Sequence, residues 1–276
     1  VPKNSSERKK ELLTSLSNTG VADFVITRPV LCTPYNDDLR SFDFQPVEWA
    51  PMIWIGNEPL PKDHELFKHN RVFAIGLASV LACLQLDVSS CDIVLDMCAA
   101  PGIKSLYLQL LHDKSLDLYV NDISHDRLLR LRHLFEQFQV PLPTFSQQPG
   151  QSLLNRYQEA SFDAVIIDAP CSGEGNIFAG DNRALENWSL AKVKRLAQLQ
   201  RKLLIAGMHL VKESGSFVYA TCTLNTNENE GALRKAGLML SRVEKDVLTY
   251  KKLGNAEGFR IIPSGQSIGF FVAKIK

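Results

Sequence analysis

Val94-Leu95-Asp96-Met97-Cys98-Ala99-Ala100-Pro101-Gly102-Ile103-Lys104-Ser105 reads as a strand, a turn of small residues and the opening of a helix. Such a turn lets a ligand approach backbone N–H groups at the helix N-terminus, where the helix dipole favours negative charge. It carries neither G-x-G-x-x-G nor G-x-x-x-x-G-K-[ST], so no motif supports a dinucleotide or a nucleoside triphosphate. Twenty residues past Gly102, Asp122 closes the run Leu118-Tyr119-Val120-Asn121. A carboxylate at the end of a second strand accepts hydrogen bonds from ribose hydroxyls, and turn plus acid point to an adenosine-type ligand. A helix N-cap or loop acid is the structural alternative for Asp122.

Outward from this unit the elements alternate. Strands are predicted at Ile93–Met97, Leu116–Val120, Leu142–Phe145, Phe162–Ile167, Ser216–Ala220 and Ile268–Ile275, with helices at Ser105–Leu111, Ser124–Phe138 and Leu190–Val211. That order predicts an α/β fold, a mainly parallel sheet with helices on both faces. Residues 1–60 differ, with a polar start, scattered prolines and only a short helical pattern near Leu12 to Leu16. They are expected to be an N-terminal extension, and residues 61–276 the main domain. The uncharged run Val72 to Leu86 is about 15 residues against the roughly 20 needed to cross a bilayer, so a buried helix is expected and no membrane partner. Val1 opens the chain, so a fragment or processed product is expected.

Two cysteine segments follow strand-like runs: Ala169-Pro170-Cys171-Ser172-Gly173 and Ala220-Thr221-Cys222-Thr223. In an α/β protein the carboxyl ends of strands hold the chemistry, so two thiols there point to covalent catalysis. The six cysteines include no C-x-x-C pair, and no paired histidine spacing accompanies them, which favours neither a zinc site nor a disulfide framework. No metal is expected, and the compartment is expected to be reducing. A net charge of +1 gives little whole-protein attraction to nucleic acid, so any RNA contact must be local or strengthened by a partner.

Leu95-Asp96-Met97-Cys98-Ala99-Ala100-Pro101-Gly102, Asp168-Ala169-Pro170-Cys171-Ser172-Gly173, Thr221-Cys222-Thr223 with Glu228-Asn229-Glu230, and Gly269-Phe270-Phe271-Val272-Ala273 occur in that order. Together they resemble the motifs of the RNA cytosine-5 methyltransferases of the Nop2/Sun (RsmB-like) family, from about residue 65 to the C-terminus. The resemblance implies a Rossmann-like class I methyltransferase with a seven-stranded sheet, using S-adenosylmethionine. It implies methyl transfer to carbon 5 of cytosine in RNA, ribosomal RNA first. Cys222 is then the attacking thiol and Cys171 the thiol that assists proton removal and release. Asp168 contacts base and donor and should have a partner, and Lys104 bridges donor and base. Cys98, Ala99, Ala100, Pro101, Gly102, Ile103, Lys104, Asp122, Arg127, Gln148 and Asp168 are the implied donor-binding residues. The structural alternatives are a strand-end acid for Asp168, a helix N-terminal lysine for Lys104, a solvated arginine for Arg127 and a buried strand cysteine for Cys222.

The chain departs from the family pattern at two donor positions. Ile103 stands where a second glycine is usual and is expected to crowd the turn. No carboxylate occurs between Gln137 and Gln158, where an aspartate would bind the adenine amino group; Gln147 or Gln148 falls there, and a glutamine oxygen still accepts that bond. The alternative function is a catalytically weak scaffold in ribosome assembly. Arg183 and Trp188, with Lys192, Lys194, Arg195, Arg201 and Lys202, suit a single-stranded, flipped-out base, although a helical charge run is also an ordinary solvated face. The compact form resembles organellar ribosomal-RNA members that rely on a protein partner. Residues 1–60 are expected to contact RNA or that partner. The expected compartment is intracellular, the mitochondrial matrix first, with nucleus or cytoplasm as alternatives.

Overall fold

The computed structural model of the chain describes residues 7, 10, 12, 29–35, 37–89, 92–178, 182–240, 243–245, 258–261, 263 and 267–275. The expected helix near Leu12 to Leu16 lies mostly outside these residues. Leu12 itself is helical and fully buried against Ile177, Leu185, Trp188, Val193 and Leu224.

A small antiparallel sheet comes first. Its strands are β1 (Val30–Cys32), β2 (Phe44–Pro46), β3 (Ile53–Gly56) and β4 (Phe73–Ala74), ordered β2-β3-β1-β4. Leu31, Leu39, Phe44 and Val72 form its core. A short helix α1 (Glu65–Lys68) precedes β4. A division at residue 60 therefore cuts through this sheet, because β4 pairs with β1 through Leu31 and Cys32. The strands are two to four residues long, too short for a period of two to be visible in sequence. The apolar run from Val72 is shared between β4 and helix α2 (Leu77–Leu84), whose N-cap is Gly76.

The main sheet has eight strands in the order β10-β11-β12-β9-β8-β5-β6-β7. These are β5 (Ile93–Asp96), β6 (Asp117–Asn121), β7 (Thr144–Ser146), β8 (Phe162–Asp168), β9 (Val211–Thr221), β10 (Val243–Lys245), β11 (Gly258–Ile261) and β12 (Phe270–Ile275). Strands β7, β6, β5, β8 and β9 run parallel, and β12 is antiparallel to both β9 and β11. Seven strands make the expected Rossmann-like sheet, and the short β10 adds an edge beside β11. Helices α3 (Ile103–Leu111), α4 (His125–Gln137), α5 (Glu174–Phe178), α6 (Asn182–Glu186), α7 (Leu190–Leu210) and α8 (Glu230–Lys235) complete the order.

The apolar runs of the central strands are explained by burial on both faces. Along β8, Ala164 and Ile166 belong to one hydrophobic cluster, shared with Leu81, Leu106, Leu131 and Phe135 of helices α2, α3 and α4. Val165 and Ile167 alternate into the other, with Leu203, Leu204 and Ala206 of α7 and Leu233 of α8. Each fully buried aliphatic side chain contributes about 1.5–3 kcal/mol, which fixes the register because a one-residue slip would exchange the faces. Helix α7 begins at Ser189, whose side chain accepts from the Lys192 N–H at 3.2 Å. In the register of β8 against β9, Asp168 lies opposite Ala220, so the two thiol segments leave neighbouring strand ends together.

Candidate active site

The turn after β5 is held from several sides. Buried Asp96 accepts from the Ser105 hydroxyl at 2.6 Å and from the Cys98 N–H at 3.3 Å. Burial pushes its carboxyl up to about 6 despite the Ser105 bond. Gly102 has φ 106°, in the left-handed region, and a Cβ there would meet Leu131 at 2.6 Å, so glycine is required on both counts. Arg127 donates to the Ala100 carbonyl and pairs with Asp122 at 2.9 Å, so this arginine anchors the turn. Asp122 is buried and also accepts from the N–H of Ser124, the N-cap of α4, at 2.9 Å, while lining the cleft beside it. Asn121 ties the floor together, donating to the Met97 and Gln148 carbonyls, each at 3.0 Å.

The cleft, of about 420 Å3, joins the two halves of the expected site. Met97, Cys98, Ala100, Asp122, Ile123 and Arg127 line it from the turns after β5 and β6, and Asp168, Cys171, Asn176 and Cys222 from the segments at the ends of β8 and β9. Ala99, Pro101, Gly102, Ile103, Lys104 and Gln148 are not on its wall. Ile103 packs against the main hydrophobic cluster, so its branched side chain is directed to the core. Gln148 holds Asn121 through its backbone, and its own Nε2 is buried without a partner among the described residues. Gln151, one turn further along, lines the cleft. Sequence reasoning missed it because both glutamines follow the same short strand. Lys104 approaches Asp168 at 2.7 Å and supplies the partner expected for that carboxylate. Burial alone would pull this ammonium down, but Asp168 outweighs it and the net direction is up.

Sγ of Cys171 and Sγ of Cys222 are 3.2 Å apart, and the Asn176 amide donates to Cys222 Sγ at 3.6 Å. The hydrogen bond to Cys222, then burial, raises Cys171 well above the usual thiol range, which favours its protonated form. Gly175 N–H donates to the Cys222 carbonyl at 2.9 Å, and a Cβ on Gly175 would fall 1.9 Å from the Gly269 carbonyl oxygen. No side chain fits there without moving the loop.

Behind the thiols lies a buried polar network that sequence reasoning did not assign. Glu228 accepts from the Ser172 N–H at 3.0 Å and from Gln200 at 2.9 Å, while the Thr223 hydroxyl donates to Glu174 at 2.8 Å. Glu174 also accepts from the Trp188 indole at 2.9 Å, so Trp188 is a core residue and not the stacking surface expected. A Glu228 next to Asn229 in the motif was the visible signal, but nothing in a sequence separates a buried acid from a solvated one. Burial first, with the neighbouring Glu174 charge, raises Glu228 from 4.5 to about 7. The protonated form is therefore favoured by folding, and its contribution is full below about 4.5 and lost as pH rises through about 7. Glu228→Gln should remove roughly 3 kcal/mol of pH-dependent stability across that window. Urea melts of wild type and variant at both ends of it check this; parallel pH profiles would contradict it.

The family model described as 16S rRNA methyltransferase RsmB/F matches residues 83–276, which include both strand-end thiols and the whole cleft. The chain belongs to the RsmB/F family. Among RsmB/F relatives, ribosomal RNA small subunit methyltransferase F of Vibrio cholerae is 36% identical over 197 residues, covering 67% of this chain and 40% of that protein. The same-named protein of Vibrio parahaemolyticus is 31% identical over 255 residues, 86% of this chain and 52% of that protein. The chain thus spans about 40–52% of the length of these relatives. NSun6 of Pyrococcus horikoshii, solved with SFG, superposes with a TM-score of 0.67 at 25% identity, over 79% of this chain and 56% of that one. A methyltransferase homologue of Pyrococcus horikoshii shares the fold at a TM-score of 0.72 and 22% identity, over 96% and 98% of the two chains. Among the described residues no helix is long and apolar enough to cross a membrane, and no group of three or more side chains could hold a metal ion.

Proposed function

We propose that the chain transfers a methyl group from S-adenosylmethionine to carbon 5 of a cytosine in ribosomal RNA. The observation that carries this is the thiol pair, 3.2 Å apart at the ends of adjacent parallel strands, on the wall of a cleft whose opposite end presents Asp122. Asp122 is suited to ribose hydroxyls, and Met97, Ile123, Leu199 and Leu203 to an adenine ring. When bound, the donor supplies an electrophilic methyl group on a sulfonium. Asp168, oriented by Lys104, is placed to hold the cytosine edge, and Cys222 to add at carbon 6. The two departures from the family pattern weigh little: Ile103 turns toward the core, and Gln151 offers an amide on the cleft wall.

The main sheet with its helices is assigned to methyl transfer, and the small sheet β1 to β4, with the residues before it, to contact with RNA or a protein partner. A net charge of +1 supports a partner that supplies RNA affinity, and the free cysteines suit a reducing compartment such as the mitochondrial matrix. Incubation with isotopically methyl-labelled donor and small-subunit ribosomal RNA, followed by nucleoside mass spectrometry, tests the proposal. Label is expected in 5-methylcytidine; label on another nucleoside, or none, would refute it.

A further inference from the structure

Helix α7 carries Lys192, Lys194, Arg195, Arg201 and Lys202 and no acidic residue, although the chain as a whole has a net charge of only +1. Its apolar face is spent on the sheet through Leu203 and Leu204, and on Ile177, Leu185, Trp188 and Leu224 through Val193. Arg195 and Lys202, both exposed, stand seven residues apart, two turns of helix and about 10.5 Å along one face. Between them, with Gln198, they line a groove of about 400 Å3 whose other wall is Gln151. No carboxylate lines this groove. Gln151 and Leu199 belong to both the groove and the catalytic cleft, so the two spaces adjoin.

Resting on the RNA reading above, we propose that this groove is the track of the substrate's phosphodiester backbone where the strand leaves the cleft. Arg195 and Lys202 neutralise phosphates, and Gln198 hydrogen-bonds to phosphate or ribose oxygens. The chemistry is that of a single-stranded site, in which fixed cations hold register and the base is read elsewhere. The span of about 10.5 Å accommodates roughly three stacked nucleotides at ~3.4 Å each.

The test compares the 276-residue chain with R195E/K202E, with the charge-conserving R195K/K202R, and with K114E as a remote control. Binding of a fluorescein-labelled single-stranded cytosine-containing RNA is followed by anisotropy over a salt series. R195E/K202E should bind at least about tenfold more weakly near physiological salt and lose roughly 1.4 from the log–log salt slope, two phosphate contacts at ~0.7 each. Its KM for RNA should rise while kcat at saturating RNA and the calorimetric affinity for S-adenosylmethionine stay unchanged. R195K/K202R and K114E should match wild type. Unchanged RNA affinity and salt slope in R195E/K202E, with wild type methylating cytosine normally, would overturn the groove assignment and leave the activity standing. Loss of donor affinity in that variant would overturn it too, by assigning the groove to the donor. A wild-type chain that transfers no methyl to cytosine would remove the activity reading and the track with it.

Discussion

Cys222→Ala is expected to abolish methyl transfer, by at least roughly 10^4-fold, while leaving donor affinity intact. Carbon 5 of cytosine is too weak a nucleophile to take a methyl group unaided. When the Cys222 sulfur bonds to carbon 6, the carbon 5–carbon 6 π pair moves to carbon 5, which can then accept the methyl group. Contacts in the cleft hold this thiol in place: Cys171 Sγ lies 3.2 Å away, and the Asn176 amide donates to Cys222 Sγ. The Cys222 carbonyl is fixed by the Gly175 N–H, so the side chain starts from a set position at the end of β9. Single-turnover assays with labelled donor, paired with donor calorimetry, check both halves of the expectation. Substantial residual transfer would remove Cys222 from the attacking role.

Cys171→Ala should act on a later step. Turnover is expected to fall by about 10^2–10^4-fold, while a covalent protein–RNA species accumulates with ordinary cytosine RNA. In the resting site the hydrogen bond to Cys222 is the largest cause holding the Cys171 proton in place, and burial is the second. Once the Cys222 sulfur is bonded to carbon, that hydrogen bond is gone and the Cys171 thiol passes its proton to solvent in the cleft. Its thiolate can then take the proton from carbon 5, whose electron pair restores the carbon 5–carbon 6 double bond and expels the Cys222 thiolate. Without Cys171 the chain stops at the methylated adduct. Denaturing gels of wild type and variant incubated with donor and labelled RNA check this, and a variant that turns over slowly without any adduct would contradict it.

Much of the main sheet was legible in the sequence for a simple reason. The carboxyl-terminal halves of β5, β8 and β9 are covered on both faces, so Val94–Leu95, Ala164–Ile167 and Phe217–Ala220 are runs without a charged residue, and the turn and thiol segments follow their carboxyl ends. The small sheet was not legible, because β1 to β4 are too short to display alternation and a loop-like composition surrounds them. Within the site, residue type and position point to the thiols and Asp122, whereas Lys104 and Arg127 were named through the family resemblance; the structure pairs them with Asp168 and Asp122. Gln148 and Gln151 could not be told apart, since only the path of the chain after β7 decides which one reaches the cleft. Trp188 shows the same limit: an indole in the loop after a thiol segment looks functional in sequence, yet here it donates to buried Glu174 inside the core.

The division of labour between the two sulfurs is the centre of this account, and peptide mapping of the adduct formed with RNA containing 5-azacytidine reads it directly. Tandem mass spectrometry of the wild-type adduct is predicted to place the nucleotide on Cys222. A nucleotide found on Cys171, or an active wild-type chain that forms no adduct, would contradict it.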